Sequence, residues 1–279
     1  MRKYYYFISL ILFAILLNGC SSPLFYQVYD TTLSDNMQIK EGQIYYEDEN
    51  CQITYNLWGD KGVIGFAFYN KTDYNIYLNL EECFFVKNGV AYDYYQNKIL
   101  GFPKANVSST NNNNKQLNYI KTSHFQAINS YQSNNSNVYK MEKKVICIPS
   151  QTLKYINEYS VVDELYRSCN LYRFPDEKPS RKFKNKEEFT DENSPLKFGN
   201  IITYSLDDKL KSSIKVDNIF IVKTISNYRS VDILKSEQVK FCNEVSPIPN
   251  TIMVFTNSIN AANKFYIQYT KTLRDQFTH

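Results

Sequence analysis

The run Cys51-Gln52-Ile53-Thr54-Tyr55-Asn56-Leu57 alternates large apolar with polar side chains, and the chain after it repeats the pattern. In an extended segment successive side chains point to opposite sides, so Cys51, Ile53, Tyr55 and Leu57 share one face. Gly59 to Gly62 ("GDKG") reads as a turn, Ile64, Phe66 and Phe68 form a second such face, Asn70 to Asp73 ("NKTD") turns the chain again, and Ile76, Leu78 and Leu80 form a third. The next stretch, "CFFVKNGVAYDYY", carries Asn88-Gly89, the dipeptide best suited to a tight hairpin because both positions tolerate positive φ. No helical period competes over these residues. Short strands at this spacing, each with one apolar face, predict an all-β fold built as a sandwich of antiparallel sheets.

Composition agrees: 16% of residues are aromatic, mostly tyrosine, a type suited to a pleated, half-buried surface. Strand-like runs return in "KKVICIP" from Lys143, in "NIITYSL" (200–206), "NIFIVKTI" (218–225), "TIMVF" (251–255) and "KFYIQYT" (264–270). Between them, residues 104–137 are rich in asparagine and serine and hold few core-sized side chains, which predicts a mobile loop. Residues 230–241 ("SVDILKSEQVKF") read as one short helix, with Val231, Leu234 and Val239 partly in phase, and the charged stretch 176–193 reads as a loop with room for another. Residues 20–40 show no sustained period and read as a tether with at most an edge strand. The expected body is therefore 41–279, with core strands in 43–100 and 138–228 and a β-rich C-terminal part in 229–279.

The amino terminus has its own logic. Arg2 and Lys3 precede an apolar run from Tyr4 to Leu17, too short for the roughly 20 apolar residues of a membrane-spanning helix and ordered like a secretory signal. Its end, Leu17-Asn18-Gly19-Cys20, resembles the bacterial lipobox, although Asn18 stands where a small residue is more usual. That resemblance implies removal of residues 1–19 by cleavage between Gly19 and Cys20, a diacylglycerol thioether on Cys20, and acylation of the new amino terminus. Several acyl chains anchor firmly where a single one holds marginally, each buried CH₂ contributing ~0.8 kcal/mol.

Without residues 1–19 the chain has 30 basic and 28 acidic side chains, which gives no electrostatic case for nucleic acid. Its densest basic stretch, Lys178 to Lys186 ("KPSRKFKNK"), reads as a solvated loop or strand edge, with contact to anionic lipid headgroups as the second reading. Cys51, Cys83, Cys147, Cys169 and Cys242 are odd in number, so at least one stays unpaired within the chain; Cys51, in step with Ile53, reads as a buried thiol.

Reaction centres are hard to build from this sequence. Its two histidines are His124, inside the asparagine-rich loop, and His279, the last residue, both poor places to hold a base beside a nucleophile. There is no H-E-x-x-H, C-x-x-C, G-x-S-x-G or phosphate-loop pattern, and no metal or cofactor is expected. The acidic clusters Glu47-Asp48-Glu49, Glu81-Glu82 and Asp207-Asp208 lack the ordered spacing of a calcium loop and read as solvated turns. Candidate ligand-contacting aromatics are Trp58, Tyr92, Tyr94 and Tyr95, with Tyr92 and Tyr94 on one face of a strand and Tyr95 on the other. Trp58 is out of phase with Cys51 to Leu57 and reads as exposed.

The segments "GFAFYNKTDYNIYLNLEECFFVKNGVAYDYYQN", "ICIPSQTLKYI" and "NIITYSL…NIFIVKTISNY" resemble a group of Bacteroidota cell-envelope lipoproteins of unestablished function. The resemblance implies an immunoglobulin-like β-sandwich and an envelope address, and no catalytic residue. The expectation is a lipid-anchored, non-catalytic binding or assembly module, attached to the membrane through Cys20, with the outer membrane as its address and either a periplasmic or a surface-facing orientation. Its partner would be an envelope protein or a glycan. The alternatives are a carbohydrate-binding surface lipoprotein and a carboxylate-based hydrolase that no motif reveals.

Overall fold

A computed structural model describes residues 23–101, 139–157, 159–175, 184–238, 251–255 and 259–271. Cys20, Gly19, the loop 104–137, His124, His279, Val239 and Cys242 lie outside the described residues. In chain order the strands are β1 (Leu24–Leu33), β2 (Met37–Lys40), β3 (Gln43–Glu47), β4 (Cys51–Tyr55), β5 (Phe66–Asn70), β6 (Ile76–Asn79), β7 (Phe84–Lys87), β8 (Val90–Asp93), β9 (Ile99–Gly101) and β10 (Tyr139–Met141). They continue with β11 (Val145–Ile148), β12 (Leu153–Ile156), β13 (Lys186–Glu188), β14 (Lys197–Ser205), β15 (Ser213–Arg229), β16 (Leu234–Gln238), β17 (Thr251–Phe255) and β18 (Lys264–Thr270). One helical turn, α1 (Ser230–Ile233), and a 3₁₀ turn at Leu80–Glu82 complete the described elements.

The fold is all-β, with antiparallel sheets in a sandwich-like arrangement. One sheet runs β12-β5-β4-β3-β2. The other runs β11-β6-β14-β15-β1-β18, with β7 on β14, β8 on β7 and β13 on β15. Alternation decides which faces meet: Ile53, Tyr55, Phe66 and Phe68 of the first sheet and Phe198, Ile202, Tyr204 and Phe220 of the second are all buried. Rings cross the gap, Tyr55 to Phe220 at 5.4 Å and Phe68 to Tyr204 at 5.4 Å between centroids, both edge-on. Two buried amides between the layers are paired: Asn200 accepts from Tyr94 Oη (2.8 Å) and donates to the Ile64 carbonyl (2.9 Å), and Asn218 donates to Tyr55 Oη (2.7 Å). The β7–β8 hairpin turns on Asn88 (φ 48°) and Gly89 (φ 82°), the two positive angles its dipeptide promised.

The structure departs from the sequence reading at both ends of the body. From Leu24 onward the segment read as a tether is part of the body, because β1 lies between β15 and β18 within the larger sheet and β2 edges the smaller one. β1 shows no apolar alternation because Phe25 to Tyr29 are buried without interruption on both faces, polar Gln27 included. By the same pairing β18 is integral to the main sheet rather than part of a C-terminal extension. Residues 230–241 are not one helix. Helical geometry stops at Ile233, whose side chain packs with Tyr26 and Val28, and Leu234 starts a strand paired to β17. Val231, expected on a packed helical face, is 74% exposed.

Candidate functional site

An open cleft of about 410 Å³ lies over the middle of the larger sheet. Its floor is Tyr29 of β1, Ile225 of β15 and Leu196, and one wall is the irregular segment Val162 to Tyr166. The opposite rim is the β7–β8 turn at Lys87 and Asn88, together with Pro195. Each part is held by specific bonds. Asn88 donates to the Pro195 carbonyl (3.1 Å) and accepts from Lys197 N (2.8 Å), so the hairpin turn is pinned to the entry of β14.

The wall is latched by Gln27. Its Oε1 accepts from Tyr29 Oη (2.5 Å) and Tyr166 N (2.7 Å), while its Nε2 donates to the Tyr166 carbonyl (3.0 Å) and to Asn227 Oδ1 (3.0 Å). Asn227 in turn donates to the Tyr172 carbonyl at 2.8 Å. Two amide side chains of the sheet thus hold the stretch 166–172, whose own strand pairing is the single bridge Leu171–Lys184. Burial pushes the Tyr29 hydroxyl well above its usual range. Burial first, and then the charge of Glu187, also raises Tyr166. Both phenols therefore act as neutral hydrogen-bonding groups at neutral pH. With an apolar floor and a rim carrying Lys87, Asp163 and Glu164, the cleft offers non-covalent contacts of both signs and lies within the size range of small-ligand pockets.

The four candidate aromatics do not converge. Tyr94 is 1% exposed and bonded to Asn200, which removes it as a ligand contact. β8 ends at Asp93, so the alternation that would pair Tyr94 with Tyr92 breaks there. Tyr92 is exposed and stacks with Phe85 at 5.8 Å. Tyr95 is half-buried, donates to Asn97 Oδ1 and has Lys144 Nζ 5.4 Å above its ring. Trp58 is half-buried rather than exposed, and its ring lies 5.1 Å from that of Tyr266.

Each acidic cluster has a carboxylate engaged in bonds within the fold, and none lines the cleft. Asp48 accepts from Asn50 N (2.8 Å), Cys51 N (2.7 Å), Tyr204 Oη (2.7 Å) and Tyr46 Oη (3.2 Å). Burial pushes its carboxyl up, but these donors outweigh burial and hold it below the usual range. Burial and the Asp48 charge push Tyr46 up to about 12. Glu47 pairs with Lys71 (2.7 Å) and Glu81 with Lys144 (2.6 Å). Asp207 receives the backbone N–H groups of Lys209 and Lys211 at 2.9 and 3.1 Å. Among the described residues no three His, Cys, Asp or Glu side chains group as metal ligands. Comparison with protein-family models, curated proteins and solved structures finds no match to this chain.

Proposed function

We propose that this chain is a lipid-anchored, non-catalytic binding or assembly module of the bacterial cell envelope, held through Cys20 and addressed to the outer membrane. The observation that carries the reading is the sequence Leu17-Asn18-Gly19-Cys20, placed four residues ahead of the first strand of a folded β body. In this reading the cleft over β1 and β15 is a surface for contact with an envelope partner. A sugar-binding strip is less well supported, because Tyr94 is buried and Trp58 and Tyr92 stand in different ring clusters.

The test is metabolic labelling with a clickable fatty acid combined with detergent-phase partition. Wild-type protein takes up label and enters the detergent phase, whereas Cys20→Ala does neither. Equal partition of the two would refute the anchor. For the cleft, Leu165→Arg at its wall should deplete a partner that co-purifies with wild type from solubilised membranes, while Leu206→Arg in the β14–β15 hairpin should not. Protease added to intact cells decides between the surface and periplasmic faces.

A further inference from the structure

β1 starts at Leu24, four residues past Cys20. Four residues reach at most about 14 Å. On the anchor reading just proposed, on which this inference rests, the end of the sheet where β1 starts is therefore held beside the lipid headgroups. Strand register identifies what else stands at that end. Arg229 of β15 is opposite Phe25, and Thr270 of β18 is opposite Leu24, so Lys271 follows at the very edge. Phe174 packs there on Phe25 (5.3 Å) and Tyr269 (6.0 Å), with Arg173 4.9 Å and Lys271 5.4 Å from its ring centre. Lys184 arrives two residues before Lys186, whose partner is Ser226, and its carbonyl accepts from Tyr172 N at 2.8 Å. Val231, 74% exposed, projects from the turn that follows β15.

Among the described residues this end is mainly basic. Lys184 and Lys271 stand there with Arg173 and Arg229, and with Asp60, at the level of Gln268, and Asp232, which Arg229 holds through two bonds of 2.8 and 2.7 Å. Glu187 and Glu188 lie further along, opposite Ile225 and Thr224. The opposite end is distant: β15 continues from Arg229 to Ser213, roughly 50 Å at 3.3 Å per residue, and there meets the β14–β15 hairpin with Lys209 and Lys211.

We infer that the end of the sheet bearing Arg173, Lys184, Lys271 and Val231 is a docking surface for anionic lipid headgroups, so that the body stands on the membrane with the β14–β15 hairpin pointing away. The short reach from Cys20 brings this end to the bilayer, and its cations and exposed valine then fix the orientation. A basic side chain near an anionic surface contributes about fivefold in binding.

The test is amine-reactive footprinting, read by mass spectrometry, of the full acylated protein in vesicles containing phosphatidylglycerol and in vesicles of phosphatidylcholine alone. Lys184 and Lys271 should label about fivefold more slowly on the anionic vesicles, and high salt should restore their rates. Lys209 and Lys211 should label equally on both. The double variant Lys184→Glu, Lys271→Glu should keep its melting temperature and let a cysteine-reactive probe reach the introduced Val231→Cys equally on both vesicles. Equal labelling of the two lysine pairs on anionic vesicles, with the protein acylated and membrane-bound, overturns the docking surface and leaves the anchor intact. Protection of Lys184 and Lys271 in a chain whose Cys20 bears no lipid would keep the surface and overturn the anchor.

Discussion

Tyr204 of β14 donates its hydroxyl to Asp48 Oδ2 at 2.7 Å, so a carboxylate in the β3–β4 turn of one sheet is bonded to a strand of the other. The same oxygen also faces the Cys51 thiol at 3.6 Å and Tyr46 Oη at 3.2 Å. An acid that looked like turn solvation in the sequence is thus a clasp between the layers.

Removing the clasp should cost stability and change its pH dependence. Tyr204→Phe deletes one charge-assisted bond and is expected to cost about 1.5–3 kcal/mol in denaturant unfolding. The Asp48 carboxyl is held below its ordinary value when folded, so its contribution is complete above the unfolded value of about 3.9 and is lost as pH falls through the folded one. Thermal midpoints should therefore be level from neutral pH to about pH 5 and drop in acid. In Asp48→Asn the acid drop should shrink without vanishing, because Asp207 and Asp232 are also held low by their own donors. An unchanged acid slope in that variant would contradict the clasp.

Gly199 meets the backbone of the adjacent strand: a Cβ placed on it would lie 2.0 Å from the Asn218 carbonyl oxygen. Neither β14 nor β15 can retreat without breaking its register, so Gly199→Ala should prevent accumulation of folded protein. Gly89→Ala has open space around its Cβ and only a positive φ of 82° to endure. It should fold and lose about 1–2 kcal/mol. Comparable melting curves for the two variants would refute the steric account.

Thiol accessibility should divide the described cysteines in two. Cys147 and Cys169 are exposed, while Cys51 and Cys83 are buried. Burial drives both buried thiols up, Cys83 to about 12. Iodoacetamide at mildly alkaline pH should modify the exposed pair in native protein and reach the buried pair only after denaturant is added, as read by peptide mass. Native labelling of Cys51 would show that the sandwich opens around β4.

Gln27 tests whether β1 belongs to the body. Gln27→Leu fits the space but removes the latch, leaving the Tyr166 carbonyl and Asn227 Oδ1 without their donor and the Tyr29 hydroxyl without its acceptor, at a cost of about 1–3 kcal/mol each. Limited proteolysis should then cut between 163 and 170 much sooner than in wild type. Unaltered cleavage would mean that the cleft wall is held by something other than β1.

Much of this architecture was legible in the chain. Alternation placed β4, β5 and β6 correctly, Asn88-Gly89 marked its hairpin, and the runs 251–255 and 264–270 match β17 and β18 residue for residue. β1 was hidden for a physical reason: a strand buried on both faces has no alternation, and Gln27 and Thr31 look like surface residues until their long-range partners are known. The cleft was equally hidden. Tyr29, Lys87, Tyr166, Leu196 and Ile225 come from separate elements, so no local motif joins them. Tyr94 misled because parity counts on past the end of a strand, and β8 stops one residue short of it.

The most direct measurement is mass spectrometry of the amino-terminal peptide of protein taken from its native membrane. The account predicts a chain that begins at Cys20, with a diacylglyceryl group on the sulfur and an acyl group on the amine. A peptide that still contains Gly19, or one that begins at Cys20 with an unmodified thiol, would contradict it.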